Sequence, residues 1–179
     1  MMTTQKNILA IIGSASANST NQKLVEEIER LTTDLFELTI FNDLKKLPHF
    51  DPELSANNPP EAITGFRKQI ENSDGVIICT PEYVFSIPSG LKNAIEWCIS
   101  TTVFSDKPCG LITASASGEK GHVELKLIMK TAVARFTDDT CLLIRGIKGK
   151  FDADGNLADQ QTKEQLNEFI QAFNELIDE

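Results

Sequence analysis

The stretch from Gly75 to Trp97 constrains the fold of this chain more than any other. It begins as an apolar run, Gly75-Val76-Ile77-Ile78-Cys79. Pro81 ends the sheet pattern, because proline cannot donate to a ladder. Pro88 stands where its fixed φ suits the first turn of a helix. Beyond it Leu91, Ala94, Ile95, Cys98 and Ile99 recur at helical spacing and form one apolar face. The order is strand, exposed loop, helix. The loop holds Glu82 and the chain's single tyrosine, Tyr83, between the two prolines. A stiff loop at the C-terminal end of a strand is where an open α/β sheet binds its ligand.

The rest of the chain repeats that unit. Asn7–Gly13 is nearly continuous apolar and reads as a strand buried on both faces. A small polar loop, Ser14–Asn21, leads into a helix marked by Leu24, Val25, Ile28 and Leu31. Phe36–Phe41 alternates as a second strand. Asn42–Pro60 has no period and reads as a long surface loop with a turn of helix near Leu44; loops of this length are often functional. Ile63, Phe66 and Ile70 mark the second helix, Val76–Cys79 the third strand, and the stretch after Pro88 the third helix. Pro108–Ala114 is the fourth strand and Ser115–Gly121 a small-residue loop. Val123, Leu127 and Val133 mark a fourth helix, and Asp139–Arg145 a fifth strand. Gly146–Asp159 is irregular, and Leu166, Phe169, Ile170, Phe173 and Leu176 mark a last helix. Strand and helix alternating five times imply a parallel sheet covered on both sides. No repeat or linker divides the 179 residues, so 1–179 reads as a single domain.

Composition removes several functions. A net charge of −9 disfavours nucleic acid, which is held by Lys and Arg clusters. It leaves anionic small ligands open, since backbone dipoles act locally. No apolar run is long enough to span a membrane. Met1–Lys6 lacks the pattern of a signal peptide, which places the protein in the cytoplasm. Cys79, Cys98, Cys109 and Cys141 form no C-x-x-C pair and read as buried, reduced thiols; with only His49 and His122 available, metal spacing is absent. His122 opens a helix and reads as a surface residue. Asp152-Ala153-Asp154-Gly155 places its glycine wrongly for a calcium loop and reads as a turn.

Three loops follow strands one, three and four. The first carries four hydroxyls and two asparagines in eight residues. Ser19-x-x-Gln22 fits a capping box, yet one cap needs fewer such groups. Backbone N–H groups and a helix N-terminus there suit a phosphate. Neither G-x-G-x-x-G nor G-x-x-x-x-G-K-[ST] is present, which disfavours a Rossmann-bound dinucleotide or a nucleoside triphosphate. The second loop offers Tyr83 either as a structural tyrosine or as a wall for a planar ring. The third permits close approach of a ring edge, or is an ordinary turn. In the strand order 2-1-3-4-5 the first and third strands are neighbours, so the first two loops would share one crevice. FMN, a monophosphate on a chain joined to a flat ring, has the matching shape.

Gly13-Ser14-Ala15-Ser16-Ala17-Asn18-Ser19-Thr20-Asn21 resembles the G-S-x-R-x-x-S-x-N motif of the NADPH-dependent FMN reductase family, a flavodoxin-like group of quinone, azo-dye and chromate reductases. Pro81-Glu82-Tyr83 through Leu91-Lys92-Asn93-Ala94-Ile95-Glu96-Trp97 is similar to its longer P-E-Y-N-x-S-x-P-x-x-L-K-N-A-x-[DE]-W signature. Ser115–Gly121 is similar to its loop after strand four. The resemblance implies a flavodoxin-like three-layer sandwich with a five-stranded parallel sheet in order 2-1-3-4-5. It implies that Ser14, Ser16, Ser19, Thr20 and Asn21 hold the FMN phosphate. Pro81, Glu82, Tyr83 and Val84 would line the isoalloxazine, and Ser115, Ser117 and Gly118 its other edge. Ser16 stands where the family has arginine, and Val84 where it has asparagine. The first departure removes a fixed cation near the phosphate.

The implied activity is electron transfer from NADPH or NADH through bound FMN to a small acceptor: a quinone, an azo compound, a metal oxyanion or free flavin. The flavin does the chemistry, so no catalytic side chain is named. A flavodoxin-type electron carrier, or a flavin-binding module without NAD(P)H turnover, is the alternative. The resemblance also implies a homodimer or homotetramer, with no nucleic acid or membrane as partner.

Overall fold

The computed structural model describes residues 5–179; residues 1–4, part of the Met1–Lys6 segment, lie outside them. The elements run β1 (Lys6–Ile12), α1 (Thr20–Leu31), β2 (Phe36–Phe41), α2 (Pro52–Asn57), α3 (Glu61–Asn72), β3 (Gly75–Thr80), α4 (Ser89–Cys98), β4 (Cys109–Ser115), α5 (Glu119–Thr131), β5 (Cys141–Arg145) and α6 (Gln160–Asp178). The sheet is parallel throughout, in the order β2-β1-β3-β4-β5 that the sequence implied.

Alternation along the strands divides the core into two layers. Ile8, Ala10 and Ile12 face the same side as Ile77, Cys79, Ile112 and Ala114, where α1 and α6 cover them with Leu24, Ile28, Leu166, Phe169 and Phe173. Leu9 and Ile11 face the other side with Val76, Ile78 and Leu111, under Ile63 and Phe66 of α3, Leu91 and Ile95 of α4, and Leu125 and Met129 of α5. All six residues of β3 are buried, which explains why its sequence is continuously apolar. The rings of Phe169 and Phe173 stack nearly parallel, 6.2 Å apart at 2°. They lie so close to the sheet that a Cβ on Gly110 would stand 2.5 Å from the Phe169 ring.

The Asn42–Pro60 segment departs from a plain surface loop. It contains the expected helical turn at Leu44–Lys46, and also α2, capped by the Asp51 carboxylate. A six-residue helix that buries only Ser55 leaves no apolar period to read. The segment is tied down by α4. The Trp97 indole and the Asn93 amide both donate to the Pro48 carbonyl, at 2.8 and 2.9 Å. The Asn93 side-chain oxygen accepts from Phe50 N–H at 2.7 Å, and the Phe50 ring meets Trp97 edge-on. The Leu91–Trp97 part of the long motif is therefore structural: it anchors a connection.

Cys141 corrects one expectation. Cys79, Cys98 and Cys109 are buried free thiols, whereas Cys141 is partly exposed because it begins the edge strand β5. Burial pushes the Cys98 and Cys109 thiols up to about 12 and that of Cys141 to about 11.

Gly110→Ala should destabilise the fold by about 1–3 kcal/mol, as overpacking does. A urea titration should show a lower midpoint with an unchanged slope.

Candidate functional site

The sheet's C-terminal edge is where the loops gather. Gly13 N–H donates to the Cys79 carbonyl at 2.8 Å and so extends the β1–β3 seam past the strands. A Cβ at Gly13 would come within 2.4 Å of the Thr80 hydroxyl oxygen. With no side chain between them, the loops after β1 and β3 leave the sheet side by side. Ser14 is buried, and its hydroxyl lies 3.4 Å from the Tyr83 hydroxyl.

Between these loops opens a cleft of about 770 Å³. Of the residues named from the sequence, Ser14, Ser16, Ser19, Thr20, Asn21, Pro81, Tyr83 and Ser115 line it. Glu82, Val84, Ser117 and Gly118 do not. Ala17, Asn18, Ala114 and Ala116 complete the near walls, and Gly146, Ile147, Lys148 and Gly149 form a wall that the sequence reading missed. Those four lie in the irregular stretch Gly146–Asp159. The signal available was their position, directly after β5 and so at the same sheet edge as the other three loops.

Two of the lining residues, Ser19 and Asn21, have clear local reasons for their place. Ser19 caps α1, accepting from Gln22 N–H at 3.1 Å. The N–H groups at the start of a helix have no partner within it and point toward whatever stands before it. Asn21 is 2% exposed, and its amide donates to the Ala114 carbonyl at 3.2 Å. Its oxygen lies 3.4 Å from the Cys79 thiol, which donates to it. Asn21 thus fastens α1 to the ends of β3 and β4, and that amide hydrogen bond stays within the protein.

Glu82 has a different task from its neighbour Tyr83. One carboxylate oxygen accepts from Gly121 N–H at 2.8 Å and the other from Gly118 N–H at 3.3 Å. It therefore caps the N-terminus of α5, where Gly118 sits in the left-handed region at φ 89. A Cβ at Gly121 would press on Glu82 at 3.3 Å, so a glycine permits the approach. The second and third loops are stapled together by one side chain. Gly146 N–H, donating to the Ala116 carbonyl at 3.1 Å, ties the fourth loop to the third.

His122 is partly buried, against the surface position expected for it; its Nδ1 lies 3.0 Å from the Thr113 hydroxyl. Burial and the nearby Lys126 ammonium lower its pKa from the ordinary histidine value.

The turn beyond Tyr83 is strained. Tyr83 and Ser86 exchange two backbone hydrogen bonds, at 2.9 and 3.1 Å, around Val84 and Phe85. Both central residues have positive φ, 53° and 60°. Such a turn favours Asn-Gly, and a β-branched residue there is an outlier. Both side chains also face solvent, Val84 at 94% exposure and Phe85 at 76%.

The model of the NADPH-dependent FMN reductase family matches residues 6–137 of the chain. The NADH:(hydroxy)cinnamate reductase subunit CrdA of Vibrio ruber is 31% identical over 173 residues, covering 93% of this chain and 85% of that protein. The NAD(P)H-dependent FMN reductase of Pseudomonas aeruginosa is 30% identical, covering 93% and 92%. Among solved structures, the flavoenzyme NAD(P)H:acceptor oxidoreductase FerB of Paracoccus denitrificans superposes with a TM-score of 0.82 at 28% identity, covering 97% of each chain.

Glu82→Ala should lower stability by about 1–2 kcal/mol, through loss of a charged cap on two backbone donors. Glu82→Gln keeps an acceptor of the same shape and should recover most of that loss. Thermal melts of the two variants beside the wild type give the comparison; equal losses would show that the oxygen is not what holds α5.

Proposed function

The chain belongs to the NADPH-dependent FMN reductase family, and from that premise we propose how its own residues serve the activity. It is an NAD(P)H-dependent oxidoreductase that passes electrons through bound FMN to a small acceptor such as a quinone, an azo compound, a metal oxyanion or free flavin. When bound, FMN would supply the redox chemistry between nicotinamide and acceptor, and the protein the binding and orientation. The observation that carries the assignment of residues is the single cleft that joins the hydroxyl loop to the Pro81–Tyr83 wall.

The cleft fits the cofactor in size and in donor set. Its volume lies in the range of cofactor sites. The hydroxyls of Ser14, Ser16, Ser19 and Thr20, with the first-turn N–H groups of α1, would hold the phosphate. Asn21 would serve indirectly, by fixing α1 against Ala114. Pro81 and Tyr83 would wall the ring, and Ser115 would stand at its other edge. Glu82, Ser117 and Gly118 would act by shaping the third loop, and Val84 by closing the turn that aims Tyr83. Donor and acceptor would occupy the cleft in turn, which gives ping-pong kinetics.

Exposed apolar surface supports an assembly. Val84 and Phe85 at the turn, and Val123 and Leu127 on α5, are all more than half exposed. The Glu82–Gly121 hydrogen bond holds the turn against the start of α5. An apolar group of this kind marks an interaction surface. We take it as the seat of a second copy, giving a homodimer or homotetramer. Residues 1–179 would act as one flavin-binding unit. Four unpaired thiols support a cytoplasmic setting. No described helix is long and apolar enough to cross a membrane.

Purified protein should bind FMN, and NADPH or NADH should bleach the visible flavin band without oxygen; addition of a quinone should restore it. Bound FMN that no nicotinamide reduces would instead make the protein an electron carrier. Val84→Asp combined with Phe85→Ser should convert the oligomer to a monomer in sedimentation velocity. A wild-type protein that already sediments as a monomer would remove the proposed interface.

A further inference from the structure

The fourth wall of the cleft is Gly146–Gly149, most of it from the 3₁₀ turn Ile147–Lys150. Ile147 is buried in the core layer under α1 and α6, so the turn is pinned at its first residue. Gly146, at φ 63, lets the chain bend there and bonds to Ala116. Lys148 follows, exposed and lining the cleft.

Three basic residues stand within this short segment, and two of them are engaged. Arg145 pairs with Glu119 at 2.7 Å and Lys150 with Asp159 at 2.9 Å. Lys148 takes part in none of the ion pairs among the described residues. Among the described residues no carboxylate lines the cleft, and Lys148 is the one charged residue of its lining. This holds in a chain of net charge −9, whose hydroxyl loop Ser14–Asn21 contains no cation of its own. A lysine that shares a cleft with hydroxyls and a helix N-terminus, in a lining without carboxylates, favours an anion.

We propose that Lys148 is the specificity-determining cation of this site and pairs with a phosphate monoester of the bound molecule. The inference rests on the flavin reading above and deepens it. Two molecules used by the enzyme can carry such a group: FMN at its ribityl end, and NADPH at its 2′ position. Riboflavin and NADH are their counterparts without it. The pairing is worth a modest factor, since an exposed ammonium is well hydrated and screened by salt.

The test uses flavin-free protein with Lys148→Ala, Lys148→Arg and, as control, Lys45→Ala. Lys45 lines a smaller cleft on the other flank of the same loop. Each is titrated at low salt with FMN and with riboflavin by quenching of flavin fluorescence. KM is then measured for NADPH and NADH in the FMN-loaded enzymes. If FMN supplies the phosphate, Lys148→Ala should weaken FMN about threefold to fivefold and leave riboflavin unchanged. If NADPH supplies it, flavin binding should stay constant while KM for NADPH rises by that factor and KM for NADH does not. In both cases Lys148→Arg should restore the wild-type value and Lys45→Ala should have no effect. Equal loss for FMN and riboflavin, or no change in any of the four ligands, overturns the role of Lys148. Wild-type protein that binds neither flavin overturns the flavin reading itself.

Discussion

The seam between β1 and β3 is the contact on which the site depends. Parallel strands release their loops at the same edge, but only neighbours release them into the same crevice. Here the neighbours are the first and third strands. The seam runs one hydrogen bond past β1, from Gly13 N–H to the Cys79 carbonyl. Any side chain at position 13 would strike Thr80, and Leu91 behind it. The absence of a Cβ brings the two loops close enough for Ser14 and Tyr83 to meet. A chain read as a set of strands would not show this contact, since Gly13 contributes neither hydrophobicity nor charge.

What the sequence made legible follows the same physics. Strands buried on both faces are continuous apolar runs, and β1, β3 and β4 stood out for that reason. The helices that cover them carry apolar stripes. On α5, however, the marks read from the sequence, Val123 and Leu127, face solvent; the buried apolar side chains are Leu125 and Met129, and Val133 lies past the helix. The hydroxyl loop and the Pro81–Tyr83 loop were visible because their residue types are unusual for a connection. The wall Gly146–Gly149 was not visible, because two glycines, an isoleucine and a lysine have no pattern beyond their place after a strand. The roles of Asn21 and Glu82 were hidden for another reason. Both are polar residues beside a proposed ligand, and residue type cannot tell a group that faces the ligand from one that holds the loops. Only the partners decide it: the Ala114 carbonyl for Asn21, the Gly118 and Gly121 amides for Glu82. Cys141 was misjudged because strand pattern alone does not reveal which strand ends at the sheet's edge.

Glu82 and Tyr83 show how one short loop performs two tasks. Adjacent residues in extended chain point to opposite sides. Glu82 reaches α5 while Tyr83 lines the cleft. Keeping them so requires the chain to reverse at once, and it does so over Val84 and Phe85 in left-handed conformations. Each costs roughly 1–2 kcal/mol relative to a relaxed residue. Asn-Gly would relieve the strain and would remove the two apolar side chains. Strain and solvent exposure are both unfavourable in an isolated chain, and they coincide at the same two residues. Contact with a second copy, as proposed above, would offset the second of these costs.

Net charge is a poor guide to what such a cleft accepts. Beyond a Debye length of about 8 Å at physiological salt, surface carboxylates are largely screened from one another and from a ligand. What a ligand in the proposed site would meet is the lining: hydroxyls, the first turn of α1, and one ammonium. The described acidic groups near the cleft have other partners. Glu119 is paired with Arg145, Asp159 with Lys150, and Glu82 accepts from two backbone amides. Among the described residues, acidity therefore lies outside the lining of the cleft. The crevice at the sheet's edge keeps the opposite polarity, because the fold directs a helix N-terminus and a short lysine-bearing turn into it.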